Sequence, residues 1–470
     1  MLFSSLTFVL FFLPFNILVT RFLTVKGQNI FLLCTSLVFY AWGEPVYVLL
    51  MLFSITFNWA MGVIIDKSKE NINAKKMFTA MAVVINLLLL FYYKYFNFFV
   101  ATVSKILPVD TSGFKEIALP LGISFYTFQS ISYIIDLYRG RCQVQKSWIN
   151  VSLYISFFPQ LVAGPIIKYN DVNHALSHRT VTDEKTAYGI KRFIYGLGKK
   201  VILSNYFAYV ADQIYGLSIE HISTPLAWLG AVLYALQIYF DFSGYSDMAI
   251  GIGSMFGFHF PENFNYPYIS TSVQEFWRRW HISLSTWFKE YLYIPLGGNR
   301  KGSLRTYINL LIVFFCTGFW HGANWQFVVW GMFHGMFLVL ERVFLGRYLK
   351  NERIKPLAAV YTIIEVIVGF VIFRAPGLRY GLKFINAMFI PTAASGVYPV
   401  SVFLDVKLAV FLAAGIVLCG FLQEKLPKFK AYLYSANIGK AELPLLALIY
   451  FICIINLVSS TYNPFIYFRF

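Results

Sequence analysis

Residues 307–340 read YINLLIVFFCTGFWHGANWQFVVWGMFHGMFLVL. Two apolar segments, 307–319 and 325–340, flank the motif Trp320-His321-Gly322, and both read as membrane-crossing helices. A histidine bracketed by glycines and tryptophans therefore sits between two spans. An ionisable residue in such a place is costly and by default marks a functional site. A lone histidine on a buried helix is also commonly a packed, hydrogen-bonded core residue. Position alone leaves both readings open for His321 and for the second notable histidine, His281.

The rest of the chain agrees with a membrane reading. Of 470 residues, 58% are hydrophobic and 13% charged, and phenylalanine alone occurs 49 times. Soluble domains carry about 25% charged residues. Apolar runs recur at roughly the 20-residue length that spans a hydrocarbon core. The fold class is therefore an all-α polytopic membrane protein. The net charge of +17 does not indicate nucleic acid. Lysine and arginine lie in short segments between apolar runs, as in cytoplasmic loops, and no basic stripe with base-stacking aromatics occurs. Cys34, Cys142, Cys316, Cys419 and Cys453 show neither CxxC nor zinc spacing and read as small buried hydrophobes. The N-terminal MLFSSLTFVLFFLPFNILVT lacks a basic n-region and a cleavage site, and is expected to be a retained first span.

Taken in order, spans are expected at 3–20, 29–43, 46–65 and 77–100. Arg21, Lys26, Lys67, Lys69, Lys75 and Lys76 place the loops 21–28 and 66–76 in the cytoplasm and the N-terminus outside. A span or tilted helix with several polar residues follows at 119–137. Pro159, Gly164 and Pro165 break the stretch 148–167, which reads as a re-entrant element lining a cavity. Residues 168–200 are basic and read as cytoplasmic, with His174 and His178 a solvated pair rather than a metal site. Helices at 190–216 and 225–258 come next. The second carries Asp241 and Asp247, which are expensive there unless paired. Ion pairing with nearby arginines is the expectation, with direct chemistry and substrate contact as the other readings. Gly253 and Gly257 form a GxxxG pair that predicts close helix approach. In 275–291, Trp277, Trp280, Leu284, Phe288 and Tyr291 recur at helical spacing, with Arg278, Ser285 and Lys289 opposite. That pattern predicts one helix lying in the membrane interface. Spans at 306–319, 325–340, 357–374, 402–423 and 442–460 complete about eleven or twelve crossings in a single domain.

No GxSxG, HExxH or Walker sequence is present. Three long motifs, FDFSGYSDMAIGIG (240–253), FWRRWHISLSTWFKEYLYIPLGG (276–298) and GFWHGANW (318–325), closely resemble those of the membrane-bound O-acyltransferase family. The resemblance is closest to the bacterial branch of alginate O-acetylation proteins. It extends to FFPQLVAGPI (157–166) and the closing NPFIYF (463–468), and so covers nearly the whole chain.

The resemblance implies a ring of about 11–12 transmembrane helices, with re-entrant and interfacial pieces, around a central tunnel. It implies that His321 is the catalytic histidine, acting as general base, and that His281 is the second notable histidine, positioning the donor or supporting the tunnel wall. A base with an unperturbed pKa near 6.5 suits proton removal from an acceptor hydroxyl. A covalent acyl-histidine route is the alternative. Trp320 and Asn324 are candidates to orient the ring or stabilise an oxyanion. Arg279, Asp241 and Asp247 complete the candidate set as substrate-binding or supporting groups. No bound cofactor or metal is implied. The acyl donor, acetyl-CoA or another thioester, is a substrate arriving from the cytoplasm. The implied partners are an exported acceptor polysaccharide and an extracytoplasmic SGNH-type acetyltransferase, in the bacterial inner or plasma membrane. Two rivals remain. D-alanyl transfer to teichoic acid would use a donor on an acidic carrier protein. A polysaccharide or lipid transporter would suit the buried carboxylates, although no inverted repeat is visible.

Overall fold

The structure, a computed structural model, describes residues 1–107, 113–349, 351–391, 397–436, 438–459 and 462–464. The closing motif from Phe465 onward lies outside the described residues. Every regular element among the described residues is helical. Eight helices there are long and apolar enough to cross a membrane: Tyr47–Lys67, Ile72–Ile106, Thr224–Met255, Ser303–His321, Trp325–Leu345, Glu352–Arg374, Val406–Lys425 and Glu442–Ser459. Four other expected spans are helical but fall outside this set. Phe8–Thr20 and the 17-residue Val25–Ala41 are short. Ile123–Tyr138 has 16 residues, nearly all buried. The stretch expected at 190–216 is divided into Asp183–Gly198, Lys199–Ser204 and Asn205–Tyr215, and it buries Lys191, Arg192 and Lys200.

The chain forms two compact units. The first comprises residues 1–193 and 248–261. Side-chain amides link its helices, since an apolar layer offers them no water. Asn58 and Asn86 exchange hydrogen bonds of 3.1 and 2.8 Å. The expected break near Pro159 is present: the helix Trp148–Ser156 stops, and buried irregular backbone follows to Ile167. Its polar groups are met by protein. Ser36 Oγ accepts from the Phe158 N–H at 3.1 Å, and Tyr154 Oη donates to the Ile167 carbonyl at 3.0 Å. Gly253 and Gly257 do not form the expected helix-packing pair. The helix ends at Met255, Gly257 follows it at φ +79°, and Gly253 lies beneath the Phe260 ring. The close helix approach in this unit is made instead by Gly189 and Gly251. A Cβ on either would stand 2.4–2.5 Å from the other's carbonyl oxygen.

The second unit, residues 194–247 and 262–470, contains the motif-bearing helices. Ser303–His321 and Trp325–Leu340 form an antiparallel hairpin. A Cβ on Gly318 would lie 2.2 Å from the Phe327 carbonyl oxygen, and one on Gly331 would lie 2.2 Å from that of Phe314. Only glycine permits backbones this close. The next helix, Lys355–Arg374, packs antiparallel on the hairpin. Gln326 Nε2 reaches the carbonyls of Ile372, Phe373 and Ala375 at 2.6–3.1 Å, and His334 faces Glu365. The helix ends therefore sort into two groups, with His321, Trp325 and Arg374 at one end and Glu341, Arg342 and Lys355 at the other.

This packing makes a direct prediction. Gly318→Ala, which inserts a methyl group against a carbonyl, destabilises the hairpin by about 1–3 kcal/mol or more. Gly113→Ala, where nothing lies within 4 Å, leaves stability unchanged. Thermal midpoints of the two variants in detergent measure the difference.

Candidate active site

The helix expected over 275–291 is broken in the middle. Val273–Arg279 stops, Ile282–Phe288 begins, and His281 sits between them in the left-handed region at φ 45°, ψ 55°. A non-glycine residue rarely adopts this conformation, and surrounding contacts must hold it. The contacts come from residues 263–265, which run beside the break. The Asn265 N–H donates to the Arg279 carbonyl and the Ile282 N–H to the Asn263 carbonyl, each at 2.9 Å. The aromatic face survives the interruption. Trp277, Trp280, Leu284, Phe288 and Tyr291 are all buried, while Arg278 and Lys289 are exposed.

Asn263 also caps the second helix from outside it. Its Oδ1 accepts from the Ser283 N–H at 3.1 Å and the Ser283 hydroxyl at 2.9 Å, and His281 Nδ1 lies 3.2 Å from the same oxygen. Its Nδ2 donates to Ser246 Oγ at 3.2 Å. Burial pushes the His281 imidazole down to about 3, so the ring is neutral at physiological pH.

His321 ends its helix and is buried, 8% exposed. Its ring stands edge-on to Trp320 and Trp330, both at 5.0 Å between centroids, and to Phe373 at 5.3 Å. Such tilted and edge-to-face contacts fix ring orientation. Gly322 follows because the Phe327 ring occupies the place of a side chain, 2.3 Å from a Cβ there. Trp320 touches both histidines, with its centroid 6.3 Å from that of His281. Phe242 closes the other side of His281 at 4.6 Å and 90°. The layer continues from Trp330 to His334 at 5.1 Å, where His334 Nδ1 meets Glu365 Oε1 at 2.8 Å, both side chains 1% exposed.

Three of the seven residues singled out in the sequence, His321, His281 and Trp320, thus form one cluster. The other four lie elsewhere. Asn324 is exposed and caps the helix Trp325–Leu340, accepting from the Gln326 N–H at 3.2 Å. Arg279 is held by Glu275 at 2.8 Å and by the Asn265 carbonyl. Asp241 and Asp247 are ion-paired, but with lysines rather than the expected arginines. Lys200 lies 2.7 Å from Asp241, with both side chains 2% exposed, and Lys199 lies 2.6 Å from Asp247. Gly244 makes this possible, because its missing side chain lets the Gly196–Lys200 backbone close in, 2.7 Å from a Cβ there to the Gly196 carbonyl oxygen. These pairs anchor the helix stretch whose Phe242 and Ser246 face His281 and Asn263. His174 and His178 lie exposed on Tyr169–His178 with rings 5.3 Å apart. No group of three metal-ligating side chains occurs among the described residues. Sequence reasoning passed over Asn263, Trp330, Phe373 and Glu365. Of these only Glu365, a carboxylate inside the apolar run 357–374, left a visible signal.

A cleft of about 1290 Å³ opens at the opposite end of the hairpin, lined among others by Gln274, Arg278, Arg279, Glu341, Arg342 and Arg347. From Trp325 to Glu341 the helix rises about 24 Å. The same broken helix thus lines this basic cleft with Arg278 and Arg279 and gives His281 to the buried, aromatic cluster.

Comparison with known proteins places these residues in context. The family model of the membrane-bound O-acyltransferases matches residues 144–384, which include all seven singled-out residues. The chain is 44% identical over 392 residues to the probable alginate O-acetylase AlgI of Pseudomonas aeruginosa, covering 83% of this chain and 75% of that protein. It is 38% identical to the protein of the same name from Pseudomonas putida over the full length of both. It is 36% identical to the peptidoglycan O-acetyltransferase of Helicobacter pylori, covering 83% of this chain and 80% of that one.

The ion pairs behind the cluster give a second prediction. Lys200→Met removes the cation beside a buried carboxylate and costs about 3–5 kcal/mol, whereas Lys200→Met with Asp241→Leu recovers most of that loss. Melting of the single and double variants in detergent reads the coupling.

Proposed function

The chain belongs to the membrane-bound O-acyltransferase family, and from that membership we propose that it transfers an acetyl group from a cytoplasmic thioester to hydroxyls of an exported cell-surface polysaccharide. The names of its relatives, which acetylate alginate and peptidoglycan, support acetyl as the group and a polysaccharide as the acceptor. The observation that carries the proposal is the burial of His321 at the end of a transmembrane helix, in an aromatic box shared through Trp320 with His281.

In the proposed reaction, neutral His321 is the general base. It takes the proton of the acceptor hydroxyl as that oxygen attacks the thioester carbonyl. The tetrahedral intermediate collapses, the carbon–sulfur bond breaks, and the departing thiolate takes up the proton. The products are an ester and a free thiol. Low polarity around the ring favours the step, since it excludes water that would hydrolyse the donor. Trp320, Trp330 and Phe373 hold the ring edge-on and so limit its rotation.

The basic cleft beside Arg278 and Arg342 suits a donor with an anionic carrier, either a nucleotide or an acidic protein. The cationic loops support a cytoplasmic setting for that end and an N-terminus on the outside. His321 then faces the outer half of the bacterial inner or plasma membrane. An SGNH-type partner would complete delivery to the polymer there.

His321→Ala abolishes acetylation of the cell-surface polymer, a loss of at least the roughly 10²–10⁴-fold that a general base supplies, while the protein remains in the membrane at its normal level. Mass analysis of the polymer, with immunoblots of the membrane fraction, checks both. Normal acetylation in that strain overturns the proposal.

A further inference from the structure

The contacts of Asn263 settle which nitrogen of His281 carries its proton. A backbone N–H can only donate, so the Asn263 atom 3.1 Å from the Ser283 N–H is the carbonyl oxygen. The amide nitrogen then points to Ser246 Oγ, where a hydroxyl accepts it at 3.2 Å. His281 Nδ1 lies 3.2 Å from that same carbonyl oxygen, which offers only lone pairs. Nδ1 must therefore hold the hydrogen. In a neutral imidazole this leaves Nε2 bare.

Two further observations bear on what the bare nitrogen is for. His281 Nε2 is buried and has no hydrogen-bond partner among the described residues. A buried acceptor left unsatisfied is costly, and in a native protein it calls for an explanation. The backbone at His281 is also left-handed, one of only two such non-glycine residues described. Strain of this kind persists where surrounding structure over-determines it, and it concentrates at functional sites. His334 offers a contrast. Its Nδ1 is likewise engaged, by Glu365, and its Nε2 likewise has no partner among the described residues, but that nitrogen abuts the packed backbone at Gly369, 2.6 Å from the position of a Cβ, and the backbone at His334 is helical. The His281 ring instead faces the Phe242 and Trp320 rings of the histidine cluster.

We infer that Asn263 is a positioning residue of the transfer reaction: it holds His281 as the Nδ1–H tautomer, so that Nε2 is a fixed acceptor for a hydroxyl of the acceptor next to the one that His321 deprotonates. The inference rests on the reading of the cluster as the acyl-transfer site, and it assigns His281 a definite role there. A bare Nε2 cannot donate to an oxyanion. His281 therefore orients the acceptor through a hydroxyl beside the nucleophile, and oxyanion stabilisation falls to other groups.

The test uses the full chain in lipid nanodiscs with ¹⁵N-labelled histidine, the His281 resonances being identified by their loss in His281→Gln. The wild-type protein shows a protonated Nδ1 and a bare Nε2. Asn263→Leu, similar in size but unable to accept, moves the proton to Nε2 and lowers kcat by about 10²-fold or more, with KM for an acetyl thioester little changed. Asn263→Asp keeps the acceptor, since the Ser246 hydroxyl can donate to it, and restores both the tautomer and most of the turnover. A protonated Nε2 in the wild type overturns the inference even if Asn263→Leu does not fold. Wild-type turnover in a folded Asn263→Leu overturns it as well. Failure of the underlying reading shows separately, as full activity in His321→Ala.

Discussion

No water reaches the middle of a bilayer to satisfy a polar group, and most of the particular contacts in this protein answer that constraint. Lys200 meets Asp241, Lys199 meets Asp247, and Glu365 meets His334. Gln326 gathers three carbonyls from the end of a neighbouring helix. Each match joins two helices, so satisfying the polar groups also fixes helix register. Apolar contacts alone would not do this, because lipid is as good a neighbour for leucine as another leucine is. The polar pairs therefore specify the arrangement, and close packing at Gly318, Gly331 and Gly244 lets the backbones approach far enough for them to form.

The same constraint shapes the histidine cluster. Aromatic rings stand edge-on to His321 on three sides and limit the rotation of its imidazole. Asn263 holds His281 by the opposite means, a hydrogen bond that commits one nitrogen and leaves the other available. The two histidines are thus fixed by different interactions and are not interchangeable.

Much of this was legible from the sequence because it depends on composition and local period. The apolar runs marked most of the spans, the aromatic repeat in 277–291 identified the face that is buried, and the Trp320-His321-Gly322 motif between two spans pointed to the cluster. Pro159 marked the break after Ser156. What could not be read depended on partners distant in the chain. The left-handed turn at His281 is imposed by Asn263, 18 residues earlier, inside a helical pattern that gives no local sign of interruption. Asp241 and Asp247 are paired as expected, but their partners Lys199 and Lys200 belong by sequence to the basic stretch 168–200 that reads as cytoplasmic. A charge run gives no hint that Gly196 and Gly244 draw it into the interior. Asn324 lies three residues from His321 yet serves the next helix, because a residue just before a helix has a capping role open to it.

A buried histidine in a membrane protein needs its tautomer fixed as well as its charge. Burial alone disfavours the charged form of any histidine, yet it says nothing about which nitrogen is bare. At His281 the choice is made by an amide whose orientation is set by the Ser283 backbone N–H, a group that cannot reverse its polarity. That donor belongs to the first turn of the helix Ile282–Phe288, where unsatisfied N–H groups are unavoidable. The need to cap a helix start and the need to fix a tautomer are met by one carbonyl oxygen. The helix is interrupted at His281 for the same reason: an unbroken helix would satisfy the Ser283 N–H internally and leave Asn263 nothing to hold it in place.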